Sequence, residues 1–312
     1  MQAAIYIIGA GAIGKALAVF LQAAGKEVIL LRGRALQEAP HTDLLKVELA
    51  DGTIIEERIR IHVLQDFARL EGLIVLANKS FGNEAIARIL KDKVQESPVL
   101  LLQNGLYIEK IFTDSNFPSI YRGVLLATSQ LLPNELIRFK PVSPSPIGEI
   151  KSNINFLPRI IEELSNPHFA FRAEEDIDPF VWTKVILNVV FNSVCPLLET
   201  DNGIFNRDPT ALGIARRVIN ECTAIARWNN IFLHPENIEQ TLLAISRSSE
   251  GQLISTYQDI IAQRRTEIDT LNFAITKQAA ALQLNEKVTE TKLLGELVQL
   301  KSSLSMRPTL SP

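Results

Sequence analysis

Cysteine is nearly absent: 312 residues contain only Cys195 and Cys222, which are far apart and in neither a CxxC nor a metal-like spacing. That excludes a disulfide framework and a cysteine-built metal centre, and it fits a reducing cytoplasm. Histidine is also scarce. His41, His62, His168 and His234 form no local cluster, so neither a metal site nor a histidine-based triad is supported. Aromatics make up 6% of the chain, and Trp182 and Trp228 read as packing residues rather than ligand platforms. Neither sign of charge dominates: 32 Lys and Arg stand against 35 Asp and Glu, a net charge of −3. A dedicated nucleic-acid binder would show a basic excess, although a small basic pocket for a phosphorylated ligand stays open. No run reaches the ~20 clean apolar residues of a membrane span. The longest, near Val181 to Leu198, is interrupted by Lys184, Asn188 and Asn192. The opening MQAAIYIIGAGAIG lacks the basic region of a secretory leader, so a cytoplasmic protein is expected and Asn78-Lys79-Ser80 is a chance sequon.

What is present is an ordinary globular composition, 46% hydrophobic, in a chain long enough for two domains at ~150 residues each. The first half alternates short apolar runs with amphipathic stretches. Ala3 to Ile8, Val28 to Leu31, Leu73 to Ala77 and Val99 to Leu102 read as buried strands, and Ala12 to Ala24 as a helix closed by Gly25. Such alternation predicts a parallel sheet covered on both faces. Leu45 to Leu49 and Ile54 to Ile61 flank Asp51-Gly52, a hairpin signal. A further β pair is expected from Gly123 to Leu132 and Leu136 to Phe139. From Pro179 the pattern becomes helical, with helices expected over 179–199, 208–229, 235–248, 256–282 and 286–303. The expected fold is therefore α/β: an N-terminal Rossmann-like doubly wound sheet over 1–175, followed by an all-helical domain over 176–312.

Gly9-Ala10-Gly11-Ala12-Ile13-Gly14 follows one predicted strand and opens a predicted helix. In that setting Gly9 allows the tight turn, Gly11 lets the backbone approach a pyrophosphate, and Gly14 permits close helix–strand packing. The helix N-terminus then offers unpaired N–H groups to the phosphates. An NAD site usually places an acid at the end of the second strand. Here the chain reads Leu31-Arg32-Gly33-Arg34, with no acid before Glu38. Arg32 or Arg34 could pair with a 2′-phosphate, so NADP(H) is the expected cofactor.

The segment from Trp182 to Asn192 is almost wholly apolar apart from Lys184, Asn188 and Asn192. Their i, i+4, i+8 spacing puts them in one stripe along a helix. Unpaired polar groups on a buried helix cost roughly 1–3 kcal/mol each, so the stripe should face a ligand, water or partner groups. An ammonium beside a carbonyl under hydride attack can protonate the developing alkoxide, and asparagines can bond hydroxyls and carboxylates without adding charge.

These residues, taken in order, resemble the ketopantoate reductase family along nearly the whole chain. The resemblance rests on the glycine loop, Lys79 after LIVLAN and Gln103-Asn104-Gly105 after VLLL. It continues through W-x-K-x-x-x-N-x-x-x-N at 182–192, Asn202-Gly203, Ser255, and Thr266-Glu267-Ile268-Asp269. It implies an NADPH-dependent reduction of 2-dehydropantoate to (R)-pantoate, a step towards pantothenate and coenzyme A. Lys184 would donate the proton and contact substrate. Asn188, Asn192, Asn202 and Ser255 would bind substrate. The loop 9–14, Lys79, Asn104, Ser129 and Glu267 would contact cofactor, with Glu267 also at the reaction centre. Gln252 stands where some members carry an asparagine that contacts substrate. Burial is expected to lower the Lys184 pKa. The partner is a small keto acid, with no nucleic acid or membrane, and a homodimer is admitted as the assembly.

By residue type alone several of these positions read otherwise. Lys79 resembles a surface lysine at a strand end, Asn104-Gly105 an ordinary turn, and Glu267 a solvated acid. Two other functions stay open: an NADP-dependent reductase of a different keto acid, and a regulator that binds NADP(H) without chemistry.

Overall fold

Alternation of apolar strands and amphipathic helices builds the first of two compact units, Met1–Gln103 with Ile108–Ile177; the second comprises Asn104–Tyr107 with Asp178–Pro312. The computed structural model describes residues 4–33 and 39–306. In the first unit the elements run β1 (Ala4–Ile8), α1 (Ala12–Ala23), β2 (Val28–Arg32), β3 (His41–Glu48), β4 (Ile54–Val63), β5 (Gly72–Leu76), α2 (Asn83–Leu90) and β6 (Val99–Leu101). They continue with α3 (Lys110–Asp114), β7 (Ser119–Gly123), β8 (Ala127–Leu131), β9 (Ile137–Pro141), β10 (Ser145–Ser152), α4 (Leu157–Leu164) and β11 (Phe171–Glu174).

The eleven strands among the described residues form one sheet, in the order β11-β10-β7-β6-β5-β1-β2-β4-β3-β9-β8. Its centre, β7-β6-β5-β1-β2-β4, is parallel throughout. That is the doubly wound order, and its direction of winding reverses between β1 and β5, where dinucleotide sites form. These strands are near-continuous apolar runs because both faces are covered. On one face Leu17, Phe20 and Leu21 of α1 pack with Val28, Leu30 and Ile59; on the other Ile86, Ala87 and Leu90 of α2 pack with Ile8, Leu31 and Leu76. Edge-on rings of Phe20 and Phe139, 5.0 Å apart, tie α1 to β9.

The Asp51-Gly52 hairpin forms as expected from its turn residues. Asp51 accepts the Thr53 N–H at 2.9 Å and Gly52 takes φ 85°. Its arms, β3 and β4, are longer than the two apolar runs suggest, since the antiparallel ladder continues to His41 opposite Ile61. The later β pair is β8 with β9, whereas Gly123 belongs to β7.

The second unit is helical: α5 (Asp178–Leu197), α6 (Ile204–Arg207), α7 (Pro209–Trp228), α8 (Pro235–Ser248), α9 (Ser255–Ile261), α10 (Asn272–Ala281) and α11 (Thr289–Ser305). Helix α7 starts sharply because Asp208 accepts from the Thr210 and Ala211 N–H groups and Pro209 occupies the first turn. Helix α5 is apolar on nearly every side, the pattern of a central helix, and α7, α9 and α11 all pack against it. It is long and apolar enough to cross a membrane by length and composition, yet most of it is buried in the fold.

The single helix expected over 256–282 is instead α9, a 3₁₀ turn at Ile268–Thr270, and α10. The break comes at Gln263, which adopts a left-handed φ of 52° without being glycine. Its N–H and that of Arg264 fold back on the carbonyls of Ile260 and Asp259, a helix-ending arrangement.

Candidate active site

In the first unit the parallel register of β1 with its neighbours delivers Gly9 to the reversal point. The Gly9 N–H bonds the Leu31 carbonyl at 3.0 Å, and the Ala77 N–H bonds the Ile8 carbonyl at 2.9 Å. Gly9 has φ 123°, and a Cβ there would lie 2.4 Å from the Asn78 nitrogen. A Cβ on Gly14 would lie 2.0 Å from the Gly9 oxygen. A Cβ on Gly11 would meet nothing within 4 Å, and Gly11 caps α1 with no side-chain hydrogen bond. The loop is thus closed against the fold at two glycines and open at the third, where N–H groups of the first turn lack side-chain partners. This is a cradle of the kind that accepts a pyrophosphate.

Arg32 ends β2 and is partly buried; Arg34 lies outside the described residues. Lys79 follows β5, partly buried, with its carbonyl accepting the Asn78 amide at 2.8 Å. Ser129 sits on β8, a strand that packs against α1, and its Oγ is buried without a hydrogen-bond partner.

A buried amide pair that the sequence barely signals stands at the β6 exit. The buried side chains of Asn83 and Gln103 bond each other reciprocally, at 2.9 and 2.6 Å. Asn83 also donates to the Ile108 carbonyl. The pair ties the first residue of α2 to the exit of β6, with Gln103 directly before Asn104 and Asn83 four residues beyond Lys79. The only signal was at Gln103, a polar residue closing the apolar run of β6, which many ordinary turns share.

In the second unit Asn104, Lys184, Asn188, Asn192, Asn202, Ser255 and Glu267 are all present. Helix α5 carries Lys184, Asn188 and Asn192 in one line, the first two partly buried and the third fully so. Burial lowers the Lys184 pKa from its ordinary 10.5 to about 8. Asn192 uses its carboxamide oxygen on the Thr256 N–H at 3.2 Å, beside the exposed Ser255. Asn202 is buried, and its Oδ1 has no partner.

The backbone just after Asn104 is linked to Glu267 through Thr270. Gly105 has φ 115°, and a Cβ there would lie 2.5 Å from the Thr270 Cβ. The Leu106 N–H donates to the Thr270 carbonyl at 2.9 Å, and the Thr270 N–H donates to the Glu267 carbonyl at 3.1 Å. Glu267 is buried, unlike the solvated acid its residue type suggests.

A doubly wound sheet with an open glycine cradle, joined to helices bearing a lysine–asparagine stripe, defines a nicotinamide-dinucleotide oxidoreductase. Residues 5–150 match the family model for ketopantoate reductase PanE/ApbA, and residues 176–301 match the model for its C-terminal domain. The chain belongs to the ketopantoate reductase family. It is 28% identical over 302 residues to a 2-dehydropantoate 2-reductase of Pyrococcus horikoshii, covering 96% of this chain and 98% of that protein. Among solved structures it is similar to D-mandelate dehydrogenase with NADH and anilino(oxo)acetate, with a TM-score of 0.85, 22% identity, and coverage of 97% and 99%. A dimeric ketopantoate reductase from Staphylococcus aureus gives a TM-score of 0.78 at 17% identity, with coverage of 97% and 99%.

Proposed function

We propose that the protein reduces 2-dehydropantoate to (R)-pantoate with NADPH, a step towards pantothenate and coenzyme A. The observation that carries this reading is the polar stripe on α5, headed by a lysine whose pKa burial lowers to about 8. Bound NADPH supplies a hydride to the C2 carbonyl. At pH 7 a lysine of that pKa is about nine-tenths protonated, so Lys184 holds a proton at Nζ ready for the alkoxide oxygen. Asn188, Asn192, Asn202 and Ser255 orient the keto acid through its hydroxyl and carboxylate, and the unpaired Oδ1 of Asn202 suits a donor hydroxyl.

The first turn of α1 and the bare space at Gly11 would receive the pyrophosphate, with Ala10, Ala12 and Ile13 lining the loop. Arg32 would pair with the 2′-phosphate, since the strand end carries no acid before Glu38; Arg34 is the other basic candidate. Lys79, Asn104, Ser129 and Glu267 would contact the rest of the cofactor, and the orphaned Ser129 Oγ fits that role. Two free, buried cysteines suit a cytoplasmic protein. A homodimer is the assembly we favour, because α11 exposes a regular leucine stripe.

A second reading, a reductase of another 2-keto acid, draws support from Gln252, which stands where some members place an asparagine. The test is NADPH oxidation by the purified protein with 2-dehydropantoate, run beside NADH and a panel of 2-keto acids. Turnover confined to 2-dehydropantoate and NADPH is expected. Faster turnover of another keto acid would move the assignment to the second reading. Absence of turnover with intact NADPH binding would favour a regulator.

A further inference from the structure

Asn202 sits in the turn between α5 and α6, 6% exposed, and its backbone is held from both sides. Its N–H donates to the Gln252 carbonyl at 2.9 Å, and its carbonyl accepts the Ser246 hydroxyl at 2.7 Å. Its side-chain oxygen is buried without a hydrogen-bond partner. A buried acceptor in a fixed backbone is a group that a ligand donor can complete.

The turn around it is closed by one side chain. Arg207, at the end of α6, donates through Nη1 to Asp201 Oδ1 at 3.0 Å and through Nη2 to Asp201 Oδ2 at 3.1 Å. The same Nη1 reaches Glu250 Oε1 at 2.9 Å, and Nη2 reaches Thr200 Oγ1 at 3.4 Å. Asp201 Oδ1 also accepts the Gly203 N–H at 2.6 Å. The guanidinium therefore joins the 200–203 turn to the segment that runs from Glu250 through Gln252 to Ser255. Gly203 lies directly beneath it: a Cβ there would be 2.4 Å from Arg207 Nη1 and 2.9 Å from Glu250 Cγ.

We propose that Arg207 is a positioning residue for substrate, clasping Asp201 and Glu250 so that Asn202 presents its carboxamide oxygen at a fixed angle. The proposal rests on reading Asn202 as a substrate ligand. Arg207 and Glu250 are both well exposed at 40% and 60%, so the ion pairs add little to global stability. Their effect is geometric, because a bidentate guanidinium fixes the orientation of the carboxylate it grips. A lysine cannot make the same fork. Misplacement of a binding group by about an ångström costs up to about a hundredfold, and a partial loosening costs less.

The experiment compares R207A, R207K and N202A with the wild type in keto-acid reduction, NADPH affinity and thermal unfolding. R207A should raise the keto-acid KM about tenfold while kcat and NADPH affinity stay within about twofold. R207K should recover only part of the loss. In the N202A background, adding R207A should change KM by less than about twofold, since a clasp acting through Asn202 has nothing left to position. Amide hydrogen exchange at Asn202 and Gly203 should speed up in R207A with the melting temperature unchanged. Unaltered KM in R207A, or fully additive effects with N202A, overturns the proposal. A wild-type protein that reduces no keto acid would instead overturn the functional reading itself.

Discussion

Asn192, on the central helix α5, accepts the backbone N–H of Thr256 through its side-chain oxygen at 3.2 Å. That bond holds the start of α9, where Ser255 stands, and leaves the Asn192 amide nitrogen and the second lone pair of its oxygen for another partner. Replacing Asn192 with alanine strands a buried N–H and opens a small cavity. The expected loss is about 1–3 kcal/mol of stability, read by urea denaturation, together with a higher keto-acid KM. A variant as stable as the wild type would show that α9 does not depend on this bond.

Lys184 should set the alkaline limit of turnover. Its pKa of about 8 predicts that kcat is flat below pH 7 and falls as pH rises through 8, because the deprotonated amine has no proton to give. K184A should keep its fold and bind NADPH but lose kcat by about 10²–10⁴-fold. The linkage has a definite sign. The folded pKa lies below the unfolded value of 10.5, so the unfolded chain binds more protons between pH 8 and 10.5. This group's contribution to stability therefore rises with pH across that window and is least favourable below it. K184M should be more stable than wild type at pH 7, with the gap closing as pH approaches 10.5. A pH-independent difference, or a kcat profile without a break near 8, would contradict the assignment.

The three loop glycines should separate folding from cofactor binding. A methyl on Gly14 meets the Gly9 oxygen at 2.0 Å, whereas one on Gly11 meets nothing within 4 Å. G14A should therefore lower the melting temperature. G11A should melt like the wild type and bind NADPH more weakly, because its methyl enters the space for the pyrophosphate. At the other end of the cofactor, R32A should weaken NADPH and leave NADH nearly unchanged, a loss of charge-assisted bonds to one phosphate. Fluorescence titration with both nucleotides checks this; equal losses would take Arg32 away from the 2′-phosphate.

The features that were readable in advance share a physical cause local to the chain. The glycine loop betrays itself because only glycine fits where a Cβ would strike Asn78 or the Gly9 carbonyl. The α5 stripe stands out because three polar residues interrupt an apolar helix at one periodicity. What could not be read depends on residues distant in sequence. The clamps on Asn202 come from Ser246 and Gln252, and the Asn83–Gln103 pair joins the start of α2 to the exit of β6. The break between α9 and α10 was hidden because Gln263 takes a left-handed conformation usually left to glycine. Glu267 is named only through the family resemblance, and its burial is not legible from its residue type.

Helix α11 makes the last prediction. Leu293, Leu297, Leu300 and Leu304 are between 41% and 56% exposed, while Thr291, Gly295, Val298 and Ser302 form the buried side. The leucine spacing of four, three and four is that of a coiled-coil seam. It reads the same in both directions, so two copies can pair antiparallel about a two-fold axis, each seam meeting itself. A stable dimer buries ~1,200–2,000 Å², more than four leucines supply. Leu198 and Ile261, exposed at 54% and 59%, can add to the surface. Leu198 adjoins Glu199, which Lys301 of α11 grips at 2.8 Å. Light scattering should find a dimer for the wild type and a monomer for the double variant L297E/L300E. The variant's melting temperature at low protein concentration should be unchanged, because neither leucine is buried within the chain. A wild-type monomer at tens of micromolar would rule out the seam.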